Sequence, residues 1–223
     1  MRIVTWNVQT GRPNPDGRAD IDRVITHLKR FDADVVALQE VDRGVRRSGG
    51  VDQAASVAVA LGGHLVWAPT VQHGPGAYGH AVVVVRGEVV RVHEVRLRGG
   101  GEPRVLLVVE LDLDDRRWTV GATHLSTRAR VAKDQLQTCL SELRRHPAPR
   151  VLVGDLNLPP GDVLPWSTAA GFHLLDGPAT FDTRTPRATK RIDHVLVSGA
   201  QVRTARVEVT DMSDHAPIVA TLR

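Results

Sequence analysis

Short runs of valine-rich apolar residues recur from one end of the chain to the other, and this constrains the fold more than any other feature. They fall at 2–8, 34–41, 64–68, 80–86, 89–96, 104–111, 118–124, 150–154, 192–197, 201–210 and 216–222. Several are continuous rather than alternating, as expected of strands covered on both faces. Three intervening stretches carry helical spacing. They are Ile21, Val24, Ile25 and Leu28; then Ala54, Ala55, Ala58 and Leu61, ended by Gly62-Gly63; then Ala132, Leu136, Cys139, Leu140 and Leu143, closed by Pro147. A fourth, shorter helix is predicted over 163–170. Strands and helices spread this evenly imply an α/β protein with two sheets packed face to face and helices outside them.

No repeat, low-complexity tract or linker divides the chain, and Gly99-Gly100-Gly101 is long enough only for a hairpin connection. A single catalytic domain spanning 1–223 is therefore expected, with 42% apolar residues sufficient for its core. The lone Cys139 excludes an intramolecular disulfide and a thiolate-rich zinc or iron–sulfur site. No apolar run approaches the roughly 20 residues of a spanning helix, and the first residues read as a strand rather than a signal peptide. A cytoplasmic monomer without membrane insertion is expected.

Polar residues able to do chemistry sit at the ends of these strands. Asn7 ends the first, Gln39-Glu40 the second and His124 the run from Trp118; Asp155 and Asn157 follow Val151-Leu152-Val153. Asp193 lies in Ile192-Asp193-His194-Val195, and Asp214-His215 opens the last run. Any one of them has a plain structural explanation as a turn former, cap or hydrogen-bonded histidine. Together they form an oxygen and imidazole set without thiolate, which selects a hard cation, Mg²⁺ or alternatively Mn²⁺.

In order and spacing, Trp6-Asn7, Leu38-Gln39-Glu40-Val41, Thr123-His124-Leu125, Gly154-Asp155-Leu156-Asn157, Ile192-Asp193-His194 and Ser213-Asp214-His215-Ala216-Pro217 resemble the motifs of the endonuclease/exonuclease/phosphatase superfamily. The resemblance implies a four-layered α/β/β/α sandwich, two mixed β-sheets flanked by helices, and a metal-dependent phosphoester hydrolase. It also implies roles. Glu40 would be the main metal ligand, with Asn7 and Asp214 near the ion. Asp155 would orient or deprotonate the attacking water, with Asn157 beside it. His215, held by Asp193, would polarise the phosphoryl oxygen, and His124 would serve the phosphate or the leaving group. Two positions depart from the pattern: Gln9 stands where many family nucleases carry an acidic residue, and His80 where many carry Asn. His80 could touch substrate or a metal-bound water, or be an exposed strand residue. Arg104 could contact phosphate or pair with Glu102.

The net charge of +4 leans towards an anionic partner. Arg43, Arg47, Arg184, Arg187 and Arg191 lie in segments next to the strand ends, where they would ring a site for DNA or RNA or form an ordinary solvated surface. Aromatics are only 4% of the chain. Tyr78 and Trp166 are expected in loops, where they could stack on bases; Trp6, Trp67, Trp118 and Phe181 are expected in the core. The substrate read from these features is a nucleic-acid phosphodiester, the alternatives being a small or lipid-headgroup phosphoester and a non-catalytic binding module. Exposed apolar loops are few, which disfavours a lipid surface, and none of the expected ligands is lost, which disfavours the binding module. No Gly-x-Ser-x-Gly elbow, P-loop or dinucleotide fingerprint is present.

Overall fold

In the computed structural model, which describes residues 1–12, 18–182 and 190–223, the apolar runs form two six-stranded sheets. The strands are β1 (Arg2–Asn7), β2 (Val35–Arg43), β3 (His64–His73), β4 (Gly76–Val84), β5 (Glu88–Leu97), β6 (Arg104–Leu113), β7 (Arg116–His124), β8 (Arg150–Asp155), β9 (His173–Leu174), β10 (Asp193–Ser198), β11 (Val202–Val207) and β12 (Ile218–Leu222). The helices are α1 (Ile21–Lys29), α2 (Gln53–Leu61), α3 (Ala129–Leu143) and α4 (Pro160–Ala169). The first sheet has the order β11-β12-β1-β2-β4-β3 and the second β5-β6-β7-β8-β10-β9.

Alternation along each strand explains why the runs are continuously apolar. Ile3, Val35, Ala37, Leu107, Val109, Val151 and Val153 point between the sheets into one core. Their neighbours Val4, Val36 and Leu38 pack under α1 and α2, while Leu106, Val108 and Leu152 pack under α3 and α4. Three cores between four layers make the expected α/β/β/α sandwich.

Helix ends follow local chemistry. The Asp20 and Asp52 carboxylates accept from the backbone N–H groups of Arg23 and Ala55, capping α1 and α2. Pro160 opens α4, where a missing N–H costs nothing. The β3–β4 hairpin is longer than expected, because Pro69 and the Gly74-Pro75-Gly76 turn interrupt the apolar pattern while pairing continues to His73↔Gly76. β9, two residues long, carries no sequence signal of its own.

Each sheet contains one parallel pair. β1 and β2 are joined by α1, and β7 and β8 by α3. A parallel crossover puts both strand C-termini at the same edge, so Asn7 meets Gln39 in register and His124 meets Asp155. Face-to-face packing then brings the two edges together. This topology assembles the polar strand ends.

Gly154 has φ +139°, and a Cβ there would lie 1.9 Å from the Thr123 carbonyl oxygen. Gly154→Ala is expected to cost at least about 3 kcal/mol of unfolding free energy, whereas Gly161→Ala, in a helix with open space around it, should stay within about 1 kcal/mol of wild type or gain stability. Urea denaturation of both variants checks the contrast.

Candidate active site

The two parallel edges are tied by one side chain. The Asn7 Nδ2 donates to Glu40 Oε1 at 3.0 Å in its own sheet and to Asp155 Oδ2 at 3.1 Å in the other. Its Oδ1 accepts from Gln9 N at 3.1 Å, which fixes the orientation of the amide. The chain leaves β1 through Gln9 and Thr10, both with positive φ, in the short turn Gln9–Gly11.

Glu40 reaches the site because β2 is irregular there. From Leu38↔Ala81 to Val41↔Gly79, three steps on β2 oppose two on β4. Glu40 occupies this bulge at φ +57°, and a bulge of this kind re-aims a side chain that strict alternation would turn away. Gln39 instead stays between the sheets, paired with Thr5.

Asp155 is buried and held from two sides. Its Oδ1 accepts from Asn157 N at 3.0 Å, while Oδ2 lies 3.4 Å from His124 Nε2 and 3.7 Å from His215 Nε2. Asn157, at φ +51°, donates through Nδ2 to the Leu125 carbonyl and so ties the β8 loop to the β7 end. Asp193 Oδ2 pairs with His215 Nδ1 at 2.8 Å. Thr180 Oγ1 accepts from the Asp193 backbone N–H, Ser213 Oγ accepts from that of His215, and Trp6 Nε1 donates to the His215 carbonyl.

These contacts set the charges. Burial, reinforced by the Asp193 charge, pushes Asp155 up to about 7 against the pull of His215 and Asn7. Burial disfavours charge on His215, yet Asp193, helped by Asp155 and Asp214, outweighs it and pushes the imidazole up to about 10. His124 is held well below its ordinary value by burial first, then by Arg104, His215 and His80. At neutral pH the site therefore holds a protonated His215, a neutral His124 and between them a carboxylate poised to gain or lose a proton.

Carboxylates gather at the other end of the cleft. Burial raises the pKa of Glu40, and Asp214 and Glu102 raise it further against the Asn7 hydrogen bond and the His215 charge. Gln9 Nε2 donates to Asp214 Oδ2 at 3.0 Å, so the amide found in place of the acidic residue tethers a neighbouring carboxylate. Buried like charges with oxygen donors beside them fit a hard divalent cation. Asp155, Asp193 and His215 also bring ligand atoms within 4.8 Å of one another, a second set able to hold a metal.

A cleft of about 430 Å³ runs over these groups, lined among others by Glu40, His124, Asp155, Asn157, Asp214 and His215, and also by Tyr78, Glu102 and Arg104. Asn7 and Asp193 stand behind it. Phe181 and Lys190 form one wall, the Phe181 ring centroid 4.7 Å from that of His215 and Lys190 over its face at 5.8 Å. The expected core position of Phe181 is thus corrected, and nothing in the sequence pattern marks it as a cleft residue.

Other expectations need correction. Tyr78 belongs to β4 and is largely buried, and Trp166 belongs to α4 and does not line the cleft. His80 is neither exposed nor in the cleft. It is buried opposite the β2 bulge, burial and Arg104 push it down to about 4, and its Nε2 has no hydrogen-bond partner among the described residues. Arg104 both lines the cleft and pairs with Glu102 at 3.2 Å.

The arginines of the expected ring that lie among the described residues are engaged elsewhere. Arg43 pairs with Asp52 at 2.9 Å. Arg47 grips the buried Asp42 through Nε and Nη2 and lies over the Tyr78 ring. Arg191 is buried and donates to the Leu175 carbonyl. Arg184 and Arg187 lie outside the described residues.

The sequence pattern of the Endonuclease/Exonuclease/phosphatase family matches residues 4–215. No curated protein matches the chain. Among solved structures, an endonuclease/exonuclease/phosphatase from Beutenbergia cavernae DSM 12333 has a TM-score of 0.84 at 27% identity, covering 100% of this chain and 71% of its own. A functionally unknown conserved protein from Enterococcus faecalis V583 has a TM-score of 0.83 at 19% identity, with coverages of 100% and 99%. D. rerio TDP2 complexed with single strand DNA product has a TM-score of 0.81 at 18% identity, with coverages of 100% and 98%. At these identities the likeness to the last two is one of fold.

Because the His215 pKa in the fold lies above its ordinary 6.5, its pairing with Asp193 stabilises the protein fully below about pH 6.5 and is lost as pH rises through about 10. In metal-free buffer the ring resonances of His215 should titrate near pH 10. Asp193→Asn should lower that midpoint by more than about one unit. An unmoved midpoint, followed by NMR, contradicts the pairing.

Proposed function

The chain belongs to the endonuclease/exonuclease/phosphatase family, whose members are metal-dependent phosphoester hydrolases, and from that premise we propose that it cleaves phosphodiester bonds of nucleic acid with Mg²⁺ held at the Glu40 end of the cleft. The observation that carries this reading is the position of Asp155 Oδ2, within 3.1–3.7 Å of the Asn7 amide and of both imidazoles. A buried carboxylate near 7 is matched to taking a proton from water at neutral pH.

In this reading Glu40 is the principal ligand, with Asn7 and Asp214 beside it. The bound cation supplies neutralisation of a non-bridging phosphate oxygen. The chain's own groups do the rest. Asp155 accepts the proton of the attacking water, and Asn157 holds the nucleophile or the phosphate. His215 donates to the phosphoryl oxygen, its ring kept protonated and oriented by Asp193. His124, being neutral, serves as a hydrogen-bond donor to the phosphate rather than as the acid for the leaving group. The Asp193–His215 pair, closed at 2.8 Å, and the cluster of oxygen donors around Glu40 support the Glu40 end as the cation's place.

Two observations support nucleic acid as substrate. A structural neighbour of the same fold, D. rerio TDP2, is complexed with a single-strand DNA product, and Lys190 brings positive charge to the cleft itself, which Arg104, paired with Glu102, also lines. One observation favours a second reading, a compact phosphoester. Arg43, Arg47 and Arg191 are already engaged by carboxylates or carbonyls, which shortens any basic track beyond the cleft.

Parallel assays on supercoiled plasmid and on bis(p-nitrophenyl) phosphate test both. Wild type should nick plasmid in Mg²⁺, and a chelator should abolish nicking. Asp155→Asn should reduce both activities by at least about 10²-fold while keeping the wild-type circular dichroism. Hydrolysis of the small diester without nicking would favour the compact substrate. Full activity of Asp155→Asn on either substrate would remove Asp155 from the reaction.

A further inference from the structure

The second sheet and α3 build a shoulder beside the cleft. Thr127, which lines the cleft, leads directly into Arg128 and the first turn of α3, where Arg130 follows. The β5–β6 connection, residues 98–103, lies against the same turn. Gln135 is buried and holds both: its Nε2 donates to the Arg98 carbonyl at 3.1 Å, and its Oε1 accepts from Ser126 N at 2.9 Å. The packing is close enough that a Cβ on Gly99 would lie 2.5 Å from Val131 Cγ1, and one on Gly100 3.6 Å from Arg128 Nη1.

Arg98, Arg128 and Arg130 are exposed on this shoulder. Among the described residues no carboxylate or carbonyl takes any of their guanidiniums. In this they differ from Arg43, Arg47 and Arg191. Helical side chains lean towards the helix N-terminus, so Arg128 and Arg130 project back towards Thr127 and the cleft rim.

Neighbouring groups leave that charge uncancelled. The first turn of α3 holds no acidic residue. Asp134, one turn further on, stays outside ion-pairing reach of Arg130. Glu102, at the adjoining rim, is paired with Arg104 at 3.2 Å, and Asp162 is paired with Lys133 at 2.9 Å.

A guanidinium presents a planar fork of N–H donors that matches phosphate oxygens. Three of them, held by a buried amide next to a phosphoester cleft, form a surface for further phosphates. A compact phosphoester ends inside the cleft of about 430 Å³ and leaves them unused. A strand that continues past the cut phosphate does not.

We propose, on the nucleic-acid reading above, that this shoulder carries the substrate strand away from the cleft, with Arg98, Arg128 and Arg130 each taking a phosphate that flanks the one cut. The substrate is then a polynucleotide strand rather than a compact phosphoester.

The test is fluorescence anisotropy of a labelled single-stranded oligonucleotide with the whole chain, in chelator so that no cleavage occurs, over a range of KCl concentrations. Replacing Arg98, Arg128 and Arg130 together by Ala should make the slope of log K against log[KCl] shallower by about 2, roughly 0.7 for each lost phosphate contact. A control in which the exposed Arg91, Arg144 and Arg203 become Ala carries the same change in net charge and should keep the wild-type slope. Hydrolysis of bis(p-nitrophenyl) phosphate in Mg²⁺ should stay within about twofold of wild type in both variants, which also reports an intact fold. Equal slopes in wild type and the shoulder variant overturn the proposal, and where wild type still nicks plasmid the nucleic-acid reading survives that result. A wild type that neither binds the oligonucleotide at low salt nor nicks plasmid overturns both.

Discussion

The amide of Asn7 is the contact on which the site's geometry depends. Each of its two N–H groups serves a different sheet, one held by Glu40 and the other by Asp155, while its oxygen is committed to the loop that follows β1. The Asn7 backbone carbonyl accepts from Ser213 Oγ, the same hydroxyl that receives the His215 N–H. One residue thus joins the ends of β1, β2 and β8 and the segment leading into β12. A buried carboxylate deprived of such a donor loses on the order of 1–3 kcal/mol or more, and here two carboxylates share it. The face-to-face sheets bring the groups near one another; Asn7 sets their spacing.

Around that tie the cleft separates into two kinds of environment. At one end Glu40 sits in poorly solvated space beside Asp214, with the exposed Glu102 at the rim, and its carboxylate there favours either protonation or a cation. At the other, Asp193 and His215 satisfy each other and leave Asp155 between a charged ring and a neutral one. The same force, burial, acts on every group in opposite directions for acids and bases. What distinguishes His215 from His124 is the Asp193 carboxylate on Nδ1. Asp155 and Asp214 add to that difference at His215, and Arg104 and His80 add to it from the other side at His124.

The sandwich was legible because its strands are covered on both faces, so Val35-Val36-Ala37-Leu38 and Val105 to Val109 leave continuous apolar runs. The polar strand ends were legible for the complementary reason: Asn7, Glu40, His124 and Asp155 each break such a run. Backbone irregularity left no such trace. Glu40 at φ +57° is an ordinary glutamate in the sequence, and the bulge that re-aims it arises from pairing with β4. Long-range partners were equally hidden. Arg47 finds Asp42 and Arg191 finds the Leu175 carbonyl, so these two members of the expected basic rim are structural. Phe181 and His80 exchanged their expected places, one to the cleft wall and the other to the interior, because burial depends on which strands face each other and not on residue type.

The division of the cleft into a cation end and a proton-transfer end can be tested by locating a metal directly. Crystals equilibrated with Mn²⁺ and measured at its absorption edge should show an anomalous peak within about 2.5 Å of a Glu40 carboxylate oxygen, with the Asp193–His215 pair intact. A peak liganded instead by Asp155, Asp193 and His215 would contradict the division, because the ion would then occupy the place assigned here to the proton.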